Sequence, residues 1–100
     1  MKLYVVVRAD LPPGLQVAQA CHALREFVHQ YPEVDREWFS RSNNLVVLQV
    51  PSLAALEALV LRTEGAVAPF YEPDLDGAMT AAAFADGRQL GSLPLALRAA

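Results

Sequence analysis

Apolar and polar positions alternate along this chain to give four runs of strand length and three stretches of helical period. Residues 2–8, KLYVVVR, are apolar on both faces, with Leu3, Val5 and Val7 on one side and Tyr4 and Val6 on the other. Such a run suits a strand covered on both sides, as in layered α/β sheets. An elbow follows at Asp10–Gly14, where Pro12 and Pro13 preset the backbone and Asp10 or Gly14 is placed to cap the next element. From Leu15 to Tyr31 the period is helical. At about 100° per residue, Val17, Ala20, Cys21, Leu24, Phe27, Val28 and Tyr31 share one arc, opposite Gln19, His22, Arg25, Glu26 and His29. The wheel therefore predicts a buried, inert Cys21 and a His22 that points away from the core.

Pro32 ends that helix and opens a second, Glu33 to Ser42, with Val34 and Trp38 as its inner face. The run Ser42–Asn44 breaks it. Leu45–Val50 reads as a second buried strand, and Ser52 as the cap of a third helix, Leu53 to Glu64, stopped by a left-handed Gly65. Ala66–Tyr71 is a third strand, placed at a sheet edge by Pro69. Glu72–Gly77 is an acidic turn, Met79–Ala85 a fourth strand, and Leu93–Leu97 an apolar tail that docks on the body. The order β-α-α-β-α-β-β predicts an α/β fold: a three-layer α/β/α sandwich on a four-stranded mixed sheet, the last strand antiparallel.

The chain's 100 residues make one domain, residues 1–100, and its 54% hydrophobic content is ample for a core. A chain this short leaves self-association, as a homodimer, open. The opening residues read as strand rather than leader and no run reaches spanning length, so a cytoplasmic protein without membrane contact is expected. A single cysteine leaves no internal disulfide and no multi-cysteine metal site. The net charge of −3 argues against broad, non-specific nucleic-acid binding, though not against a local patch. Lys2 is the only lysine.

The chemistry gathers where the first strand meets the first helix, the corner where open α/β sheets bind ligands. Arg8 at the strand end is suited to a bidentate phosphate contact, or else pairs with Asp10. His22 follows Gln19 by one turn and precedes Glu26 by one more; an imidazole held by a carboxylate serves as a general base, whereas a solvated histidine pairs weakly. His29 lies two turns on, about 10 Å by helix rise, too far to share a metal ion. Glu72, Asp74 and Asp76 crowd one turn without a calcium-hand pattern, and phosphate-loop, nucleophile-elbow and dinucleotide glycine motifs are absent.

VVVRADL at residues 5–11 and GLQVAQACHA at residues 14–23 resemble the opening of the type 2 peptidyl-tRNA hydrolase family, V-V-V-R-x-D-L followed by G-K-x-A-A-Q-x-x-H-A. The likeness runs on through Glu37-Trp38 and Leu45–Val50, with Thr80 where the family has the last threonine of P-G-T-x-T. It covers about residues 3 to 84 and implies the same layered fold. It also implies cofactor-independent cleavage of the ester between a peptide and the 3′ ribose of transfer RNA, its partner, with no metal. Carried over by position, Asp10, Gly14, Gln19, His22 and Thr80 match. Leu15 replaces the family lysine, the elbow is shorter, and Glu72–Asp76 replaces the acidic D-A-G-R-T-Q loop, so Asp74 stands by position for its aspartate. The resemblance implies a divergent hydrolase in which Arg8 anchors the terminal phosphate and His22, oriented by Gln19 or Glu26, activates water, with Asp74 and Thr80 completing the site. The alternatives are a non-catalytic module that binds RNA, a nucleotide or a protein on the same fold, and a purely structural dimer.

Overall fold

The computed structural model describes residues 1–97. Its order is β1 (Lys2–Arg8), α1 (Pro13–Gln30), α2 (Pro32–Arg41), β2 (Asn44–Val50), α3 (Leu53–Leu61), β3 (Val67–Glu72), a 3-10 turn (Pro73–Leu75) and β4 (Ala78–Phe84). The sheet runs β2-β1-β4-β3. β1 pairs parallel with β2 and antiparallel with β4, and β4 pairs antiparallel with β3. The first three strands thus share one direction, as expected, but β4 inserts between β1 and β3 and leaves one parallel pair. Pro69 sits on the outermost strand, where its missing N–H breaks no interior ladder.

Alternation sorts the core into two layers. Leu3, Val5 and Val7 of β1 pack with Ala23 and Phe27 of α1, Trp38 of α2, and Ala81 and Ala83 of β4. Val6, Leu48, Val50, Ala82 and Phe84 face α3 through Leu56 and Leu59 and meet Leu90 beyond β4. Asn43 takes a left-handed φ of 51° at the break after α2, where Trp38 Nε1 donates to the Asn44 carbonyl at 2.7 Å. Ser52 caps α3 by accepting from the Ala55 amide at 3.1 Å. The tail docks by pairing along β2: the Gln49 amide donates to the Pro94 carbonyl and the Ala96 amide to the Val47 carbonyl. No helix among the described residues is long and apolar enough to cross a membrane.

Three expectations need correction. Pro12 occupies the cap position of α1 with no side-chain hydrogen bond, so neither Asp10 nor Gly14 caps it. α3 stops at Leu61, and Gly65 is not left-handed; the positive-φ glycine is Gly77, in the turn before β4. The largest change is the phase of α1, whose buried line is Gln16, Gln19, Ala23 and Phe27. The core-facing side is turned by about a quarter turn from the apolar arc, at 3.6 residues per turn. Val17 is 51% exposed and Cys21 is exposed rather than buried. With Leu24, Leu45, Val47 and Leu97 they line an apolar groove of ≈ 260 Å³ beside β2.

Phe27 is fully buried, whereas Leu61 is 88% exposed. Phe27→Ala is expected to lower unfolding free energy by about 3–5 kcal/mol. Leu61→Ala should change it by no more than about 0.5 kcal/mol. Urea denaturation followed by circular dichroism measures both.

Candidate functional site

Gln16, Gln19 and Thr80 are the buried polar side chains among the described residues; Gln19 and Thr80 meet between α1 and β4, while Gln16 turns to the elbow. Gln16 locks the elbow: its Nε2 donates to the Leu11 carbonyl at 2.6 Å and, more weakly, to the Ala9 carbonyl at 3.4 Å. Gln19, one turn on and 1% exposed, bridges two strands. Its Oε1 accepts from the Thr80 hydroxyl at 2.5 Å, and its Nε2 donates to Glu72 Oε1 at 2.9 Å.

A bulge makes this bridge reachable. Phe70 pairs with Ala81 and Tyr71 with Met79, so β4 carries one extra residue, Thr80, at that step. Ala81 lies in the core layer under α1 and Met79 in the layer under α3. Thr80 bonds to α1 as well, so two successive β4 residues face the same helix, which an unbroken strand forbids. On β3, Phe70 and Glu72 are two apart and share a face. They lie under His22 and Gln19, one helical turn apart on α1, about 4.5 Å of rise against about 6.7 Å of strand.

The Glu72 carboxylate is held below its ordinary pKa of 4.5, first by the Gln19 amide, then by the Asp74 backbone N–H on Oε2, with a further contribution from the charge of His22. The His22 ring stacks on Phe70 at 4.8 Å between centroids and 18° between planes. This packing sets its orientation; neither Gln19 nor Glu26 bonds to it. Glu26 instead accepts from Gln30 Nε2 at 3.1 Å. His22, Arg25, Glu26, His29 and Phe70 line a shallow cleft of ≈ 260 Å³ on this flank of α1.

The structure therefore brings Gln19, His22 and Thr80 together, and Gln19 is buried rather than on the polar face. Arg8 and Asp10 form their own pair: Nε and Nη2 of Arg8 donate to Oδ1 and Oδ2 of Asp10 at 3.0 and 2.8 Å, while Nη1 donates to the Met79 carbonyl at 3.1 Å. That hydrogen bond raises the guanidinium pKa and lowers the carboxyl pKa, and Glu57 of α3 adds to the first effect. Asp74 is exposed and supplies Glu72 with its amide, not its carboxylate. Gly14 lies in the first turn of α1 with open space where a side chain would stand. No three His, Cys, Asp or Glu side chains among the described residues cluster as metal ligands. Glu72 and Gln16 went unassigned in the sequence; an i, i+3 pair of glutamines in line with Ala23 and Phe27 was the available signal.

The family model described as peptidyl-tRNA hydrolase PTH2 matches residues 1–71. Gln19 and His22 lie inside that span; Glu72 and Thr80 lie just past it. No curated protein matches the chain.

Because Glu72 has its pKa depressed by folding, its contribution is present above the unfolded value of 4.5 and is lost as pH falls through the lower native value. Glu72→Gln is therefore expected to lower the urea midpoint near neutral pH. The gap to the wild type should close on going from about pH 5 to about pH 3.

Proposed function

The chain belongs to the peptidyl-tRNA hydrolase PTH2 family, and on that premise we propose that it cleaves the ester joining a peptidyl or aminoacyl group to the 3′ ribose of transfer RNA. The observation that supports this most is the Gln19 bridge, which ties Thr80 to an ionised carboxylate beside His22.

In this reading the imidazole of His22 takes a proton from water as its oxygen attacks the ester carbonyl, and Glu72 stabilises the imidazolium. The ester C–O bond then breaks, and the proton passes to the departing ribose oxygen, leaving a free hydroxyl and a carboxylic acid that loses its remaining proton to solvent. Thr80 and Gln19 act as positioning residues, since Thr80 is fully buried and its hydroxyl is committed to Gln19. The uncapped first turn of α1, about 10 Å by helix rise from His22, offers backbone N–H groups and the positive end of the helix dipole to a phosphate of the bound RNA end rather than to the reacting carbonyl. Open space at Gly14 admits substrate to that turn. Arg8 is an anchor for phosphate weakened by its pairing with Asp10. The reaction needs no cofactor, and its setting is the cytoplasm. Leu15 at the elbow and the neutralised Arg8 favour one second reading, a module that binds transfer RNA without turnover.

Turnover of an N-acylated aminoacyl-tRNA tests the proposal. His22→Ala and Glu72→Gln are each expected to lower kcat by about 100-fold, while Asp74→Asn should change it by less than about threefold. A comparable loss in the Asp74 variant with none in the Glu72 variant would transfer the role to Asp74. Wild-type protein that binds transfer RNA in a salt-sensitive way without hydrolysing it would establish the binding module instead.

A further inference from the structure

Resting on that reading, we infer that the cleft lined by His22, Arg25, Glu26, His29 and Phe70 seats the terminal nucleoside 5′-phosphate of the substrate, with its base against the outer face of His22 and its phosphate on Arg25 and His29. The scissile ester is carried on the ribose of the terminal nucleotide. A group that acts on the ester therefore has that nucleoside beside it. The cleft adjoins His22 directly and combines an aromatic surface with two groups able to carry positive charge.

The direction of the nucleotide follows from charge. Gln19 and the ionised Glu72 lie on the N-terminal side of His22 along α1, and that carboxylate repels phosphate. Arg25 and His29 lie on the C-terminal side, one and two turns on, about 4.5 and 10 Å by helix rise. A ribose holds its 3′ oxygen and 5′ phosphate at opposite ends, so one nucleotide spans the His22 edge and the Arg25 guanidinium. Phe70 already covers the inner face of the imidazole at 4.8 Å; the residue is exposed, leaving the outer face for a base. Arg25 makes no hydrogen bond or ion pair among the described residues, unlike Arg8, Arg41 and Arg88, each paired with a carboxylate. Glu26, the acidic group in the cleft, accepts one bond from Gln30 and keeps its other oxygen for an amino group on the base. Adenylate is accordingly preferred to uridylate.

The probes are AMP, UMP and adenosine, titrated into the wild-type protein and followed through the imidazole resonances of His22 and His29. AMP is expected to shift both and to bind about tenfold tighter than adenosine, which lacks the phosphate. UMP should bind more weakly than AMP. Arg25→Ala, a change at an exposed position with the fold checked by circular dichroism, should erase the difference between AMP and adenosine. On transfer-RNA substrate it should raise KM by about tenfold with kcat within about twofold. Hydrolysis by wild-type protein with no shift at His22 or His29, or equal binding of AMP and adenosine, overturns the inference and leaves the hydrolase reading standing. AMP binding at these residues without hydrolysis upholds the subsite while the hydrolase reading fails.

Discussion

The amide of Gln19 is the constraint on which fold and site both depend. At 1% exposure it has no access to water, so its donor and its acceptor must both be satisfied from within the protein. The acceptor takes the Thr80 hydroxyl of β4 and the donor reaches Glu72 at the end of β3. Losing either partner would leave half of a buried amide unpaired, which costs on the order of 1–3 kcal/mol. A single side chain thus fixes the seating of α1 on the sheet, the register of the last hairpin and the position of the carboxylate. The bulge at Thr80 follows from the same demand, because without it the hydroxyl would face α3.

The insertion of β4 between β1 and β3 allows one residue to do this. Being central, β4 is covered on both faces, and its run Ala81-Ala82-Ala83 is fully buried. Side chains that small let α1 approach the sheet closely enough for a glutamine to reach over the strand. Ala23, also fully buried, plays the matching part on the helix. The edge strand β3, free to end early, turns at Asp76 and Gly77, both left-handed at φ 56° and 75°. The 3-10 turn before them aims the Asp74 amide at the Glu72 carboxylate, and the Gly77 amide closes onto the Glu72 carbonyl at 2.9 Å. Strand order, residue size and turn geometry converge on one carboxylate.

Most of the architecture was legible in the sequence because it rests on strong local signals. The apolar run of β1, Pro32 at the junction of α1 and α2, Ser52 at the cap of α3 and Pro69 on the edge each act through their own backbone chemistry. The position of β4 was not legible, since alanine carries little strand preference and hairpin pairing does not say on which side the new strand falls. The phase of α1 was misread for a physical reason. A hydrophobic wheel scores glutamine as solvent-facing, yet a glutamine with both ends of its amide satisfied is as well buried as a leucine. Gln19 therefore takes the inner face in place of Cys21, and Gln16, held through its Nε2 alone at the Leu11 and Ala9 carbonyls, takes it in place of Val17. This exchange also explains why the cysteine surfaces in a groove. Asp74 drew attention by position within an acidic turn, whereas Glu72 is set by its place as the last residue of β3, which depends on pairing that no local window contains.

Charge limits the kind of RNA contact open to the proposed activity. The chain carries a net charge of −3 and one lysine, Arg8 is neutralised by Asp10, and the site itself holds an ionised glutamate. Affinity for RNA grows with the number of phosphates neutralised, and an extended contact of six to ten phosphates needs about as many unpaired cations on one face. Such a face is not present among the described residues. A chain of this composition that acts on transfer RNA must accept it by a short end rather than along a helix. On the proposed reading, discrimination would be carried by stacking, by shape at the elbow, and by the uncapped amides of α1, whose partial charge is fixed by the fold and needs no lysine to supply it. Leu15 at the elbow is compatible with the fold because nothing in the Gln16 and Gln19 networks uses that side chain. On the proposed reading, the missing charge at that position weakens RNA binding and leaves the architecture of the site unchanged.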